Sequence, residues 1–252
     1  MAPTDSPEHE LDLALAAQLQ AALLPRQCPA DCPHQAVAAR NRMCGSVGGD
    51  FYDFLRLNED QIAVLIGDVA GHGVTAALIM AQIMGYLRSQ QEARARPARI
   101  VSDLNRILID LGERTGTVTP CSLFYGVIDA PTGSGFFVNA GHPPPYLCDP
   151  EHCATLSAHR HDLLLGVQEF APEELCLTFH PGQRLVLHTD GVTDAMNGKA
   201  QHFGERRLRE VISRHVGAAP RQCADAVFDA VEEFRGRAAQ TDDETIVVID
   251  RM

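Results

Sequence analysis

Four aspartates stand beside glycine or in turns of this sequence, in positions where a carboxylate could bind a cation. They are Asp50 in GGDFYD, Asp68 in IGDVAGHG, Asp190 in HTDGVTD and Asp242 in TDDET. An aspartate in such a turn most often caps its own backbone, so none of them indicates a site alone. Asp68 and Asp190 each follow an apolar run, where burying a charge is costly unless a cation balances it. Together the four indicate a cation site.

A site made only of carboxylates suits hard cations such as Mn²⁺ and Mg²⁺ rather than zinc. Four carboxylates carry four negative charges, which two divalent ions would balance, and a phosphate monoester could then approach. Two ions about 3.5–4 Å apart hold both the attacking and the leaving oxygen of a phosphoryl displacement and activate a water. The residues therefore predict phosphoester hydrolysis without a covalent intermediate.

The spacing of apolar residues predicts the elements that position these aspartates. Helices are expected over 9–24, 75–94, 97–114, 205–215 and 221–235, and strands over 35–39, 51–57, 61–69, 121–129, 135–139, 175–180, 184–189 and 245–250. We expect the first three strands to form an antiparallel meander. Strands and helices in this order, with short turns between strands, are typical of an α+β domain.

The first predicted helix carries leucines at four-residue spacing and stops at Pro25 (Leu11, Leu15, Leu19 and Leu23). We divide the chain into an N-terminal helix with its linker, residues 1–33, and a catalytic domain, residues 34–252. Two interpretations of the helix stay open. It packs on its own domain, or it docks a regulatory protein or a second copy of the chain.

Composition excludes some classes of partner. The 252 residues carry 33 acidic and 21 basic side chains, a formal charge of −12, which argues against nucleic acid and anionic membrane surfaces. The N-terminus has neither a basic start nor an apolar signal segment, and no apolar run is long enough to span a bilayer. We expect a cytoplasmic protein.

The eight cysteines are scattered, and in the cytoplasm reduced thiols are expected. Two groups could supply zinc ligands, namely Cys28, Cys32 and His34, and Cys148, His152 and Cys153. Neither has the two-residue spacing of most zinc sites, so a structural zinc is not favoured.

One other chemistry is weakly matched by a sequence motif, and the motifs of two more are missing from the sequence. The segment GHGVTA, residues 71–76, formally matches a dinucleotide-binding fingerprint. A basic stretch and a second helix follow it, where that fold requires a parallel strand ending in an acidic residue. No cysteine has an arginine six residues later, as cysteine phosphatases require, and no phosphate-binding loop of the GxxxxGK[ST] type occurs.

Several segments together resemble the SpoIIE/RsbU-type branch of the metal-dependent PPM protein phosphatases. They occur in the order of that family and span nearly the whole chain. They are ALLP (22–25), VGGDFYDF (47–54), GDVAGHGVTAAL (67–78), NAGHPPPYL (139–147), LLLGV (163–167), LVLHTDGVTDA (185–195), FGERRL (203–208) and TDDETIVVI (241–249).

The resemblance implies an α+β fold, a central antiparallel β-sandwich flanked by helices, with two Mn²⁺ or Mg²⁺ ions at one edge. By motif, Asp50 and Asp68 bind metal, Asp68 bridges the ions and the Val69 carbonyl adds a ligand. Asp190 and Asp242 complete the second ion. Asp242 is preferred over Asp243 because the ligand of the family is the first residue of this pair.

The sequence also departs from the wider family. Eukaryotic relatives have a phosphate-binding arginine and a histidine directly after their Asp-Gly, but Arg42 and His72 stand in different contexts, so neither role is transferred. His72 is expected to shape the turn into the next helix. Asp194 replaces a more usual glutamate, and His142 is expected to pack within its loop.

The resemblance implies a substrate, a phosphoserine or phosphothreonine on a small anti-sigma-factor antagonist. The alternative is a catalytically inactive relative that only binds a phosphoprotein or regulatory partner. Loss of a metal-binding aspartate would indicate this alternative, but all four positions are aspartate.

Overall fold

The computed structural model describes residues 7–25, 35–90, 93–156 and 163–252, and in these residues ten strands form two five-stranded sheets. In chain order, β1 to β10 span Gln35–Arg42, Phe51–Arg56, Gln61–Val69, Cys121–Asp129, Ser134–Ala140, Tyr146–Cys148, Cys153–Thr155, Leu175–Thr178, Arg184–His188 and Glu244–Arg251. All pairings between these strands are antiparallel, which excludes the parallel sheet of a dinucleotide-binding fold in the described residues.

The first sheet has the order β2-β3-β4-β5-β8 and contains the predicted meander from β2 to β5. Its strand β3 is apolar without alternation because both of its faces are buried. Ala63 and Leu65 pack towards helices, whereas Val64 and Ile66 pack towards the second sheet. This central strand leads directly to Asp68.

The second sheet has the order β1-β10-β9-β6-β7. The expectation that residues 35–39 open the meander is wrong, because β1 pairs with β10 from Gln35 opposite Arg251 to Arg42 opposite Glu244. The side chains of β1 are mostly half-buried, as suits an edge strand, and β10 is buried between two neighbours. Pairing between the two ends of the chain leaves no local signal in the sequence.

Six α-helices occur in the described residues. In chain order, α1 to α6 span Pro7–Leu23, Val74–Ser89, Pro97–Thr115, Asp190–Asp194, Gly204–Arg214 and Pro220–Arg235. Helices α2 and α3 cover the outer face of the first sheet, and α5 and α6 cover that of the second. A third apolar cluster lies between the sheets. The predicted α+β sandwich flanked by helices is confirmed.

Most element boundaries agree with the prediction, with one shortened helix and three missed elements. Helix α2 ends at Ser89 rather than near Arg94, and a short 3-10 turn at Ala93–Ala95 precedes α3. Helix α3 begins at Pro97 as predicted and is capped by Gly116 in the left-handed conformation. The missed elements β6, β7 and α4 have three to five residues, too few to show periodicity.

Helix α1 contacts its own domain, but not through the whole leucine stripe. Leu11, Leu15 and Leu19 are 70%, 54% and 63% exposed, whereas Leu23 packs against the core below α2. Gln20 is buried. The helix therefore packs by its polar Gln20 and its C-terminal end, and the first three leucines of the stripe face solvent. No helix within the described residues is long and apolar enough to cross a membrane.

Candidate metal centre

Asp68 lies at the end of β3, in the middle of the first sheet. It is partly buried and pairs across the ladder with Ser122 of β4. The β2–β3 ladder ends at Gly67, opposite Phe51, whereas the β3–β4 ladder continues through Asp68 to Val69, so the backbone at Asp68 is held by β4. The apolar strand thus delivers one carboxylate to the edge of the sandwich.

Asp50 lies directly before β2 and is 1% exposed. Its Oδ2 accepts hydrogen bonds from the hydroxyl groups of Thr189, at 2.8 Å, and Thr245, at 2.5 Å. Thr189 follows β9 and Thr245 belongs to β10, so these bonds cross from the first sheet to the second. Burial raises the pKa of Asp50 well above its usual value, and Asp68 raises it further.

Asp190 and Asp242 come from the second sheet and are both exposed. Asp190 is the first residue of α4, just after β9, and Asp242 lies in the turn before β10. A Cβ atom on Gly191 would lie 1.9 Å from the carbonyl oxygen of Asp243, so only glycine lets these two turns approach so closely.

These carboxylates lie close enough together to change one another's pKa. Burial raises the pKa of Asp68 to about 7, with further contributions from Asp190, Asp242 and Asp243. Although both side chains reach solvent, partial desolvation by the surrounding protein raises the pKa of Asp190, and the charge of Asp242 raises it further. Partial desolvation also raises the pKa of Asp242; the Asp243 N–H, which donates to Asp242, opposes this rise, and the Asp243 charge adds to it. Carboxylates from both sheets therefore repel one another at one end of the sandwich.

Asp243 differs from Asp242 in its contacts. Its carboxylate is buried and accepts 2.7 Å hydrogen bonds from the backbone N–H groups of Cys44 and Gly49. A Cβ atom on Gly48 would lie 1.9 Å from Oδ2 of Asp243, so glycine is required in this loop. Asp243 thus holds the loop before Asp50 in place, while Asp242 has an exposed side chain.

The Val69 carbonyl faces the same loop. A Cβ atom on Gly49 would lie 2.4 Å from the Val69 oxygen and 3.2 Å from Oδ1 of Asp68. The Val69 N–H donates to the Gly49 carbonyl at 3.4 Å. Glycine at this position keeps a backbone carbonyl and a carboxylate close to the loop that carries Asp50.

The donor chemistry of this region fits hard divalent cations. Carboxylates and a backbone carbonyl are the oxygen ligands that Mg²⁺ and Mn²⁺ prefer. Within the described residues, no three His, Cys, Asp or Glu side chains stand close enough together to hold an ion. Four like charges repel one another, and cations that balance them would draw the carboxylates together.

Arg42 and His72, to which the sequence analysis assigned no catalytic role, lie outside the cluster of carboxylate ligands proposed above or at its margin. Arg42 lies 3.3 Å from both Glu232 and Glu244 and sits over the Phe228 ring, so its guanidinium is occupied by acidic partners. His72 is exposed in the turn before α2, and its charge lowers the pKa of Asp242 against the larger effect of burial.

Sequence reasoning missed several residues that organise the site, chiefly Thr189, Thr245 and Gln20. Both threonines are next to or near a predicted ligand in the sequence, in HTDG and TDDET, and a hydroxyl beside a candidate carboxylate was the available signal. Gln20 gave none, because a glutamine in a helix is ordinary. His142 is buried, as expected for a packed loop, but it also makes polar contacts.

The cysteines differ from the expectation at one pair. Cys148 and Cys153 form a disulfide across the β6–β7 hairpin, so the expectation of reduced thiols is wrong there, and this pair cannot serve as zinc thiolates. Cys44, Cys121, Cys176 and Cys223 are free. The group Cys28, Cys32 and His34 and the linker 28–33 lie outside the described residues.

The family model for stage II sporulation protein E, SpoIIE, matches residues 58–252, most of the chain. The chain belongs to the SpoIIE family. Asp68, Asp190 and Asp242 lie within the SpoIIE match, and Asp50 lies eight residues before its start. The matched residues contain strands β3 to β10 of the antiparallel sandwich, whereas β1 and β2 precede the match.

The chain is also similar to two curated proteins. It is 28% identical to the protein IcfG of Synechocystis sp., over 96% of this chain and 42% of that protein. It is 24% identical to the phosphoserine phosphatase RsbU of Bacillus subtilis, over 97% of this chain and 71% of that protein. The chain thus spans less than half the length of IcfG.

Among solved structures, the SiaA-PP2C domain of Pseudomonas aeruginosa has a TM-score of 0.84. The two sequences are 22% identical, and the alignment covers 99% of this chain and 100% of that domain. That likeness shows the PP2C fold. Together with the family match, it identifies this chain as a SpoIIE-family domain with the PP2C fold.

Proposed function

We propose that this chain is a protein serine/threonine phosphatase whose residues Asp50, Asp68, Asp190 and Asp242, with the Val69 carbonyl, hold two Mn²⁺ or Mg²⁺ ions. The observation that carries the proposal is the mutual repulsion of carboxylates delivered by two different sheets to one end of the sandwich. A fold that only needed stability would not collect these charges, since each costs free energy when it is desolvated.

The roles of the side chains follow from their contacts. Asp50 is oriented by Thr189 and Thr245, which fix one carboxylate oxygen against the second sheet. Asp68 interacts electrostatically with Asp50 beside the first sheet and with Asp190 and Asp242 beside the second, which supports a bridging role for it. When bound, the ions would supply the positive charge that activates a water molecule and balances a phosphate monoester.

Protein phosphoserine or phosphothreonine is the substrate class that we propose. The support is the similarity to a relative named as a phosphoserine phosphatase, and the family resemblance points to a small anti-sigma-factor antagonist. A formal charge of −12 makes nucleic acid an unsuitable substrate. The cytoplasmic location and the division into residues 1–33 and 34–252 remain predictions.

Release of phosphate from a phosphoserine peptide, measured after chelation and after addition of Mn²⁺ or Mg²⁺, tests this function. We expect no turnover in chelated protein and recovery with either ion. Full turnover of metal-free protein would refute the mechanism. A protein that binds a phosphoprotein but never hydrolyses it would favour the alternative of an inactive regulatory module.

A further inference from the structure

A buried histidine lies behind the candidate metal centre, between the two sheets. His142 follows β5 and is 2% exposed. Its Nδ1 lies 2.9 Å from the hydroxyl of Ser122, and its backbone N–H donates to Oδ1 of Asn139 at 2.8 Å. The ring is therefore held at a fixed place by side-chain and backbone contacts.

On one side, His142 reaches the strand that faces Asp68. Ser122 is the residue of β4 directly opposite Asp68 of β3 in the antiparallel ladder. Side chains at directly opposite positions share one face of the sheet, with Cβ atoms about 4.5–5.5 Å apart. The hydroxyl that contacts His142 is thus a neighbour of the Asp68 carboxylate.

On its other side, His142 faces the strand that leads to Asp190. Burial lowers the pKa of His142 to about 3, His188 lowers it further, and the backbone of His188 partly offsets both effects. His188 is itself buried, stacks on Tyr146 at 5.7 Å between ring centroids, and stands two residues before Asp190. His142 therefore lies between Ser122 and the end of β9 as a neutral ring.

Packing alone does not account for a histidine at this position. Nε2 of His142 and Nδ1 of His188 have no hydrogen bond of good geometry to any described residue. A buried polar atom without a partner costs free energy, which an apolar side chain of similar size would avoid. A leucine would fill the same space without this cost, so the histidine ring has a role beyond packing, and its contact with Ser122 indicates which one.

We propose that His142 is a positioning residue that fixes the separation of Asp68 and Asp190, through Ser122 on the first sheet and the His188 segment on the second. The proposal rests on the proposed function, because the separation matters only if both carboxylates bind the same pair of ions. Replacing a residue that orients a metal ligand typically lowers metal affinity about 10–100-fold.

The test compares Mn²⁺ binding by the full chain without substrate, measured from the electron paramagnetic resonance signal of free Mn²⁺. His142→Leu removes the ring contact with Ser122 and the polar ring edge near His188, and it should raise the Mn²⁺ dissociation constant about tenfold or more. His142→Asn keeps a polar group near the Nδ1 position and should stay close to the wild type. Ser122→Ala removes one hydroxyl and should shift affinity in the same direction as His142→Leu.

A core variant distant from the site controls for general loss of stability. Val227→Ala on α6 shortens a fully buried side chain under the second sheet and should leave Mn²⁺ affinity unchanged at a comparable loss of thermal stability. Wild-type affinity in both His142→Leu and Ser122→Ala would overturn the positioning role. If His142→Leu does not fold, the Mn²⁺ affinity of Ser122→Ala alone tests the proposal, and a wild-type value would overturn it. Failure of the wild type to bind Mn²⁺ would instead overturn the proposed function.

Discussion

The side-chain amide of Gln20 makes two hydrogen bonds with the backbone of Gly48, 28 residues away. Its Nε2 donates to the Gly48 carbonyl at 2.7 Å, and its Oε1 accepts from the Gly48 N–H at 3.0 Å. Gly48 begins the loop Gly48-Gly49-Asp50, so α1 holds the segment that carries a proposed metal ligand. The N-terminal helix is thereby linked to the site.

Gln20→Ala should loosen that loop. The change leaves the Gly48 N–H and carbonyl without partners, so we expect a loss of about 1–3 kcal/mol in the free energy of unfolding. The Mn²⁺ concentration for half-maximal activity should rise several-fold, measured by phosphate release. Gln18→Ala is the matched control, since Gln18 is exposed on the same helix. If both variants need the same Mn²⁺ concentration for half-maximal activity, α1 does not influence the site.

The exposed stripe of α1 is the surface that a second copy or a regulatory protein would cover. Replacing Leu15 and Leu19 with glutamate should leave the fold intact because both side chains face solvent. Burying a leucine contributes about 1.5–3 kcal/mol, so the two charges should dissociate a homodimer or change the metal response. Sedimentation and Mn²⁺ titration measure these effects. Wild-type mass, metal response and turnover would make the helix a passive extension.

The adjacent residues Asp242 and Asp243 should respond differently to the same change. Asp242→Asn should abolish turnover with little effect on folding, because its side chain is exposed. Asp243→Asn should lower the free energy of unfolding by about 1–3 kcal/mol, because its carboxylate accepts the Cys44 and Gly49 N–H bonds. Urea unfolding and phosphate release separate the two. Equal stability losses in both variants would contradict the assignment of Asp242 as the ligand.

The raised pKa of Asp68 should make stability depend on pH in metal-free protein. Its pKa is raised from 3.8 to about 7, mainly by burial, so between these values the folded chain holds a proton that the unfolded chain releases. This contribution to stability is present at low pH and is lost as the pH rises towards 7. From pH 5 to 8, the thermal midpoint of the wild type should therefore fall relative to that of Asp68→Asn, and saturating Mn²⁺ should abolish this fall in the wild type. A constant difference would argue against a raised pKa.

The sequence predicted those parts of the fold that depend on local pattern. The apolar run before Asp68 and the β-branched run after Asp243 predicted β3 and β10, and each run adjoins a candidate metal-binding aspartate or its neighbour in the sequence. Contacts between distant segments left no such pattern. The bond from Thr189 to Asp50 joins residues 139 apart, and β1 found its partner at the other end of the chain. The role of Gln20 was equally invisible, since only tertiary structure brings it to Gly48.

The most direct measurement is phosphate release by wild-type protein and Asp68→Asn over a Mn²⁺ titration that starts from chelated protein, with bound Mn²⁺ counted in the same samples. Asn has nearly the shape of Asp without its charge, so the variant should fold. The account predicts two ions per chain and metal-dependent turnover in the wild type, and no turnover by Asp68→Asn at any Mn²⁺ concentration. Wild-type turnover by Asp68→Asn would contradict it.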